Sequence, residues 1–310
     1  MRYKDNQNYD VYLLLLIFVE VDDFCKLFEA WYAKYTTAQA STLPEKTKWQ
    51  RRRKPGLSVS EILTILIYYH HSGYKCFQYY YERLVCVFWK KEFPNLVSYQ
   101  RFIELIPRAQ YHLYMFAQWL AYQEEPTGIY IIDSKKLPVC DNRRIAQNKT
   151  FVEIAKRGKS STGWFYGLKI HLIINHLGGI VRFQITPANV ADNNKELLKK
   201  LFTNLKGKVV GDKGYLTKFF AEFYEQGVHI ITKIRSNMKS KLMDMHDKLL
   251  LKKRAVIEAV NDILMSVCDI DHTRHRSPIN AICHILGAVI AYHYLPNKPA
   301  MILEKLITHN

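Results

Sequence analysis

PTGIYIID, residues 126–133, sets the fold class of this chain. Pro126-Thr127-Gly128 is a turn signal, and the texture of the sequence changes there. Ile129 to Ile132 is a short unbroken apolar run ending in Asp133, the pattern of a central strand buried on both faces. Polar, basic sequence follows from Lys135 to Ser161. The apolar runs 168–174 and 180–185 then flank Asn175-His176-Leu177-Gly178-Gly179, which is a hairpin signal. Residues 187–192 read as loop, 195–205 as helix, and 208–212 as a second short strand closed by Asp212. A helix over 217–226, a strand over 229–234 and a strongly periodic helix over 252–267 complete the series. This order predicts an α/β domain, a mixed sheet with flanking helices.

Working outward, residues 1–125 read as mostly helical. Apolar and aromatic residues recur at helical spacing from Val11 to Tyr35. A basic linker, Lys46 to Lys54, ends in the turn pair Pro55-Gly56. Ser58 and Glu61 have the spacing of a capping box, ahead of the apolar face Ile62, Leu63, Leu66 and Ile67. His71-Ser72-Gly73 breaks that helix, Cys76 to Trp89 restarts one, and Ser98 caps another that runs toward Pro107. Such a region serves either as a helix-turn-helix DNA reader or as a helical bundle for dimerisation. The expected division is a helical region over 1–125, a catalytic domain over 126–278, and a packing helix with its tail over 279–310.

Composition narrows the partners. The 310 residues carry 45 Lys and Arg against 28 Asp and Glu, a formal net charge of +17, which favours a polyanion. The 48% apolar and 24% charged content fits a folded protein rather than a disordered one. The apolar runs at 11–19 and 279–295 are too short or too interrupted to span a bilayer, which takes about 20 residues. The N-terminus lacks a signal-peptide cleavage pattern, and the six cysteines have no CxxC spacing. Reduced thiols, no zinc site, no membrane and a cytoplasmic location are therefore expected.

Asp133 and Asp212 stand at strand ends, where ligands collect in α/β sheets. Each alone also reads as a turn or helix cap. A third acid, Glu258, comes from the helix at 252–267. On a helical wheel Val256, Val260, Ile263 and Val267 form the apolar face, and Arg254, Glu258, Asn261 and Met265 lie opposite. Glu258 alone reads equally as a solvated partner of Arg254. Together the three acids suit two Mg²⁺ ions held about 3.5–4 Å apart for phosphoryl transfer.

Cations surround these acids. Lys135, Lys136, Arg143, Arg144, Arg157 and Lys159 follow the first acid, Lys213 follows the second, and Arg254 precedes the third. Arg274 and Arg276 lie in the His-rich turn after that helix. All are candidate DNA-binding residues, Arg254 foremost because a guanidinium fork matches phosphate oxygens. Lys48, Arg51, Arg52, Arg53 and Lys54, with Trp49, form the densest cluster and read as a solvated loop or a backbone-tracking arm. Trp164, Phe165 and Tyr166 read as a stacking surface or as the start of a buried strand, with core packing favoured for at least two of them. If about 6–10 cations touch phosphate, affinity falls roughly 10³–10⁵-fold between 50 and 200 mM salt.

The stretches IIDSKKLPVCDNRRI (131–145), RGKSSTGWFYGLKIHLI (157–173), TPANVADN (186–193), VVGDKGY (209–215), KKRAVIEAVNDIL (252–264) and HTRHRSP (272–278) resemble a DDE transposase of bacterial insertion sequences. The resemblance is closest to the insertion-sequence 982 family, and VDDFCKLF (21–28) is similar to that family's N-terminal stretch. It implies an RNase H-like catalytic domain with Asp133, Asp212 and Glu258 as the triad. The spacing agrees, with 78 residues between the first pair and 45 between the second. It further implies Mg²⁺ or Mn²⁺, cutting at the terminal inverted repeats of the element, joining to target DNA, a homodimer on that DNA, and a nucleoid-associated location. Relatives commonly carry Lys seven residues after the Glu, where this chain has Met265. That departure opens a second reading, a catalytically weakened or inactive DNA-binding protein derived from a transposase. An RNase H-like nuclease without strand transfer is a third.

Overall fold

The computed structural model describes residues 10–40, 56–160, 163–233, 243–271 and 275–302. The basic cluster from Lys48 to Lys54, His272 and Arg274 lie outside the described residues. The chain forms two compact units, one holding residues up to Phe116 with Ile282–Ala291, the other holding Ala117–Ala281 with the residues from Tyr292 onward.

The first unit is helical. Helix α1 (Val11–Ala40) buries Leu14, Ile17, Val21, Phe24 and Phe28, one stripe at helical spacing. Helix α2 (Val59–Tyr69) starts where the sequence places it. The Ser58 hydroxyl accepts from the Glu61 N–H at 3.1 Å, and the Glu61 carboxylate accepts from the Ser58 N–H at 2.6 Å. Gly73 turns the chain at a φ of +73°, which suits glycine. Helix α3 (Phe77–Tyr80) passes through a π-helical turn (Tyr81–Val85) into α4 (Cys86–Phe88). Helix α5 (Tyr99–Gln123) does not stop at Pro107 as expected. Phe102, Leu105, Ile106, Ala109, Leu113 and Phe116 keep a continuous buried face across the proline, and that packing outweighs the lost backbone bond.

The second unit is a mixed α/β fold. Strand β1 (Ile129–Cys140) is central, and it runs seven residues past Asp133, where the sequence reading had ended it. Its second half pairs antiparallel with β3 (Gly163–Asn175), out to Cys140 opposite Tyr166. The ladder satisfies a backbone whose polar side chains had disguised the strand. Strands β2 (Lys156–Ser160) and β4 (Ile180–Pro187) pair antiparallel with β3, the first near its start and the second along the rest. Strands β5 (Gly207–Gly211) and β6 (Val228–Thr232) add on parallel to β1, giving the path β2-β3-β1-β5-β6 with β4 on β3. Helices α6 (Lys195–Phe202) and α7 (Phe220–Glu225) share a core with the sheet that includes Tyr130, Ile132, Leu198, Phe202, Val209 and Phe223.

The single helix expected over 252–267 is two, α8 (Met245–Lys253) and α9 (Val256–Ser266), with Arg254 at the junction. The buried face of α9 is Ile257, Val260, Asn261 and Leu264, while Val267 is exposed. The wheel misplaced that face because apolar residues occupy more than one side of the helix, and it sent Asn261 outward for being polar. Helix α10 (Pro278–His293) ends the described secondary structure. Among the described residues no helix is long and apolar enough to cross a membrane.

Candidate active site

Parallel register aligns Ile131 of β1 with Val210 of β5, two residues before Asp133 and Asp212 respectively. The two acids therefore stand at matching positions past the paired stretch, Asp133 within β1 and Asp212 just beyond the end of β5, on strands that pair about 4.8 Å apart. Asp212 caps the short 3₁₀ turn Lys213–Tyr215, its Oδ1 accepting from the Gly214 N–H at 2.7 Å. The cap and the site readings coexist, since the cap uses one oxygen. Asp133 is half-buried, and its Oδ2 accepts from Asn261 Nδ2 at 2.9 Å. Burial pushes its carboxyl up to about 6. The negative charges of Asp212 and Asp192 push the same way, opposed by the Ser134 N–H and the Arg254 guanidinium.

Glu258 lies on α9 three residues before Asn261, about 4.5 Å along the axis. Its side chain is 60% exposed, and its Oε1 accepts from Arg254 at 3.0 Å. Arg254 thus touches Glu258 while its charge reaches Asp133. Asp133, Asp212 and Glu258 do not meet at common ligand distance. Among the described residues, the one trio of His, Cys, Asp or Glu ligand atoms all within 4.8 Å is Asp244, His246 and Asp247. There the Lys208 ammonium sits 2.6 Å from Asp247 Oδ1 and 3.4 Å from His246 Nδ1, so the trio already holds a positive charge. Lys208 is four residues before Asp212 along β5, about 13 Å away.

Four residues near the pair escaped the sequence reading. Asp192, in the TPANVADN stretch, holds Lys169, whose ammonium donates to Asp192 Oδ1 at 3.0 Å and to the Val190 carbonyl at 2.9 Å. The other Asp192 oxygen lies 3.4 Å from where a Cβ on Gly214 would stand, and Asp212 Oδ1 lies 2.8 Å from that same point. His171 is fully buried, with Nε2 2.9 Å from Thr186 Oγ1 and Nδ1 3.8 Å from Asp192 Oδ1. Burial pushes the His171 imidazole down to about 4, partly countered by Asp192 and aided by Lys169. Asn261 is the fourth. The only available signal was the quoted motif itself, because an acid just before a helix cap reads as a turn residue.

The basic candidates are spread over several elements. Lys135 and Lys136 are half-buried on opposite faces of β1. Arg143 and Arg144 are exposed on the 3₁₀ turn Asn142–Gln147, where Arg143 pairs with Asp141 at 3.3 Å. Arg157 and Lys159 are exposed on β2, and Lys213 and Arg276 are exposed as well. Phe165 and Tyr166 are buried, whereas Trp164 is 63% exposed beneath the Lys159 ammonium, 5.8 Å from its ring centre. Two of the three aromatics pack in the core, as expected, and the third faces solvent.

Residues 123–278, half of the chain, match the family model of the transposase DDE domain. The chain belongs to that family. The match takes in Asp133, Asp192, Asp212, Glu258 and Asn261. No curated protein matches the chain. DDE transposases as a family bind DNA and use divalent metal.

The residues of this transposase domain fit such an ion. Carboxylates of Asp133, Asp212 and Asp192 supply hard oxygens of the kind Mg²⁺ and Mn²⁺ prefer. The amide oxygen of Asn261 is buried with no hydrogen-bond partner among the described residues. Leaving such a group unpaired costs roughly 1–3 kcal/mol.

Proposed function

We propose that the chain is a DDE transposase that cuts the terminal inverted repeats of its own insertion sequence and joins them to target DNA. Its domain would be RNase H-like, and its nearest relatives would be the insertion-sequence 982 family. The observation that carries this reading is the register of Asp133 and Asp212 on neighbouring parallel strands, with the Glu258 helix packed against Asp133 through Asn261. Asp133, Asp212 and Glu258 would hold two Mg²⁺ or Mn²⁺ ions, which when bound polarise the scissile phosphate and activate water or a 3′-hydroxyl.

The chain's own side chains supply the rest. A DNA phosphate competes with Glu258 for the Arg254 fork, so docking of the backbone releases Glu258 toward the other acids. Lys135, Lys136, Arg143, Arg144, Arg157, Lys159, Lys213 and Arg276 would track the backbone, joined by Arg274. Trp164 offers an exposed ring to an unpaired base near the cut. Synapsis of two ends calls for two such sites, hence a homodimer on double-stranded DNA.

Cleavage of the element's own ends in Mg²⁺ or Mn²⁺ tests the reading. Asp133→Asn and Asp212→Asn each abolish cutting while DNA binding stays within a few-fold of wild type. Cutting at the wild-type rate by either variant removes that residue from the mechanism. The second reading, a binding protein of weakened catalysis, draws on Met265 and on the Glu258 pairing with Arg254. Robust nicking by the unaltered chain excludes it, and a joined donor–target product excludes a simple nuclease.

A further inference from the structure

Helix α9 presents Asn261, not Glu258, to the buried acid of β1. The Asn261 side chain is 3% exposed and packs on the same face as Ile257, Val260 and Leu264. Its amide nitrogen donates to Asp133 Oδ2 at 2.9 Å. Its amide oxygen, in the same planar group, is buried with no hydrogen-bond partner among the described residues. The bond to Asp133 accounts for the amide nitrogen on this face, and nothing among the described residues accounts for the amide oxygen. A buried polar atom without a partner points to a missing donor or cation.

We propose that Asn261 is a further residue of the divalent-cation site, holding Asp133 through its nitrogen and supplying its oxygen to the ion. The proposal rests on the reading of Asp133 and Asp212 as that site. An amide suits both tasks. Before the ion binds, its N–H satisfies a half-buried carboxylate that a second carboxylate would repel. Once the ion is bound, its carbonyl is a neutral, hard oxygen of the type such cations accept alongside carboxylates. The bond from nitrogen to Asp133 also holds Oδ2 of that carboxylate in place. Asn261 is thereby a ligand and a positioning residue in one side chain, a role separate from that of Glu258, which points to solvent and pairs with Arg254.

Mn²⁺ titration of the full chain without DNA, followed by the loss of the free-ion magnetic resonance signal, reads this directly. Asn261→Leu is expected to weaken Mn²⁺ binding roughly 10–100-fold. Its melting temperature in a chelator is expected to fall below that of wild type, because Asp133 Oδ2 loses its amide donor. Asn261→Asp is expected to melt lower than wild type in the chelator, since two carboxylates then face each other. Mn²⁺ should raise its melting temperature by more than it raises that of wild type. Wild-type Mn²⁺ affinity in Asn261→Leu overturns the proposal. So does an Asn261→Asp protein whose melting Mn²⁺ raises no more than wild type, which keeps the test decisive if the Leu variant folds poorly. Asp212→Asn separates the two layers. If it loses Mn²⁺ binding while Asn261→Leu keeps it, only the role of Asn261 falls. If Asp212→Asn also binds Mn²⁺ normally, the cation-site reading falls with it.

Discussion

Replacing Asp133 with Asn should stabilise the metal-free protein at neutral and alkaline pH. Burial holds the Asp133 carboxyl at about 6, against an ordinary value of 3.8. At about 1.36 kcal/mol per pH unit, that difference makes the ionised side chain a liability of roughly 3 kcal/mol. The sign follows from linkage. The folded state binds this proton more tightly than the unfolded chain, so the favourable contribution is full below pH 3.8 and is lost as pH rises through about 6. The variant never ionises, and its amide oxygen can still accept from Asn261. Its advantage should therefore be near zero at pH 4 and approach 3 kcal/mol at pH 8. In a domain of 150–250 residues about 1 kcal/mol moves the melting temperature by roughly 2–4 °C, so the gap is several degrees. Thermal unfolding of the full chain in EDTA, followed by circular dichroism from pH 4 to pH 8, measures it. A variant that melts at or below wild type at pH 8, or a gap as large at pH 4 as at pH 8, refutes the reasoning. Added Mn²⁺ should then favour wild type, because only an ionised Asp133 gains from the ion.

Two further outcomes test the surroundings. Lys169→Met strands the partly buried Asp192 carboxylate and should cost about 3 kcal/mol in urea unfolding, the low end for a broken buried pair. Adding Asp192→Asn should recover most of that loss, and a neutral single variant would show that the pair does not hold the loop. Trp164→Ala should leave stability within about 0.5 kcal/mol, because the ring is exposed. The same change should weaken binding of single-stranded DNA by roughly 1–3 kcal/mol, and unchanged affinity in a fluorescence titration removes the stacking role.

Much of the second unit was legible because local signals sufficed. Gly128 at a φ of +74° turns the chain into β1, and the apolar run behind it had no other use than a strand buried on both faces. The 175–179 hairpin, the β5 strand with Asp212 at its end, and the Ser58 cap were equally local. The second half of β1 was hidden because its residues are polar and basic, and its partner, β3, lies some thirty residues on. Pro107 misled for the same reason in reverse. A local breaker lost to a buried face formed with other helices.

The site divides along the same line. Glu258 is legible because a charge among apolar residues stands out at a spacing that suits the triad. Asn261 is not legible, because a wheel reports only which side of a helix is apolar, not what the neighbouring strand offers. Its partner, Asp133, is 128 residues away in sequence, and only the fold brings that carboxylate to the helix. Once it does, the polar residue belongs inside, and the buried face of α9 turns accordingly. The two readings then need each other. Asn261 docks the helix on Asp133, which leaves Glu258 one turn away and tethered by Arg254. Bringing the third acid in takes a movement of Glu258 away from Arg254. Phosphate is the natural trigger for that movement, because it competes for the guanidinium that holds Glu258 away.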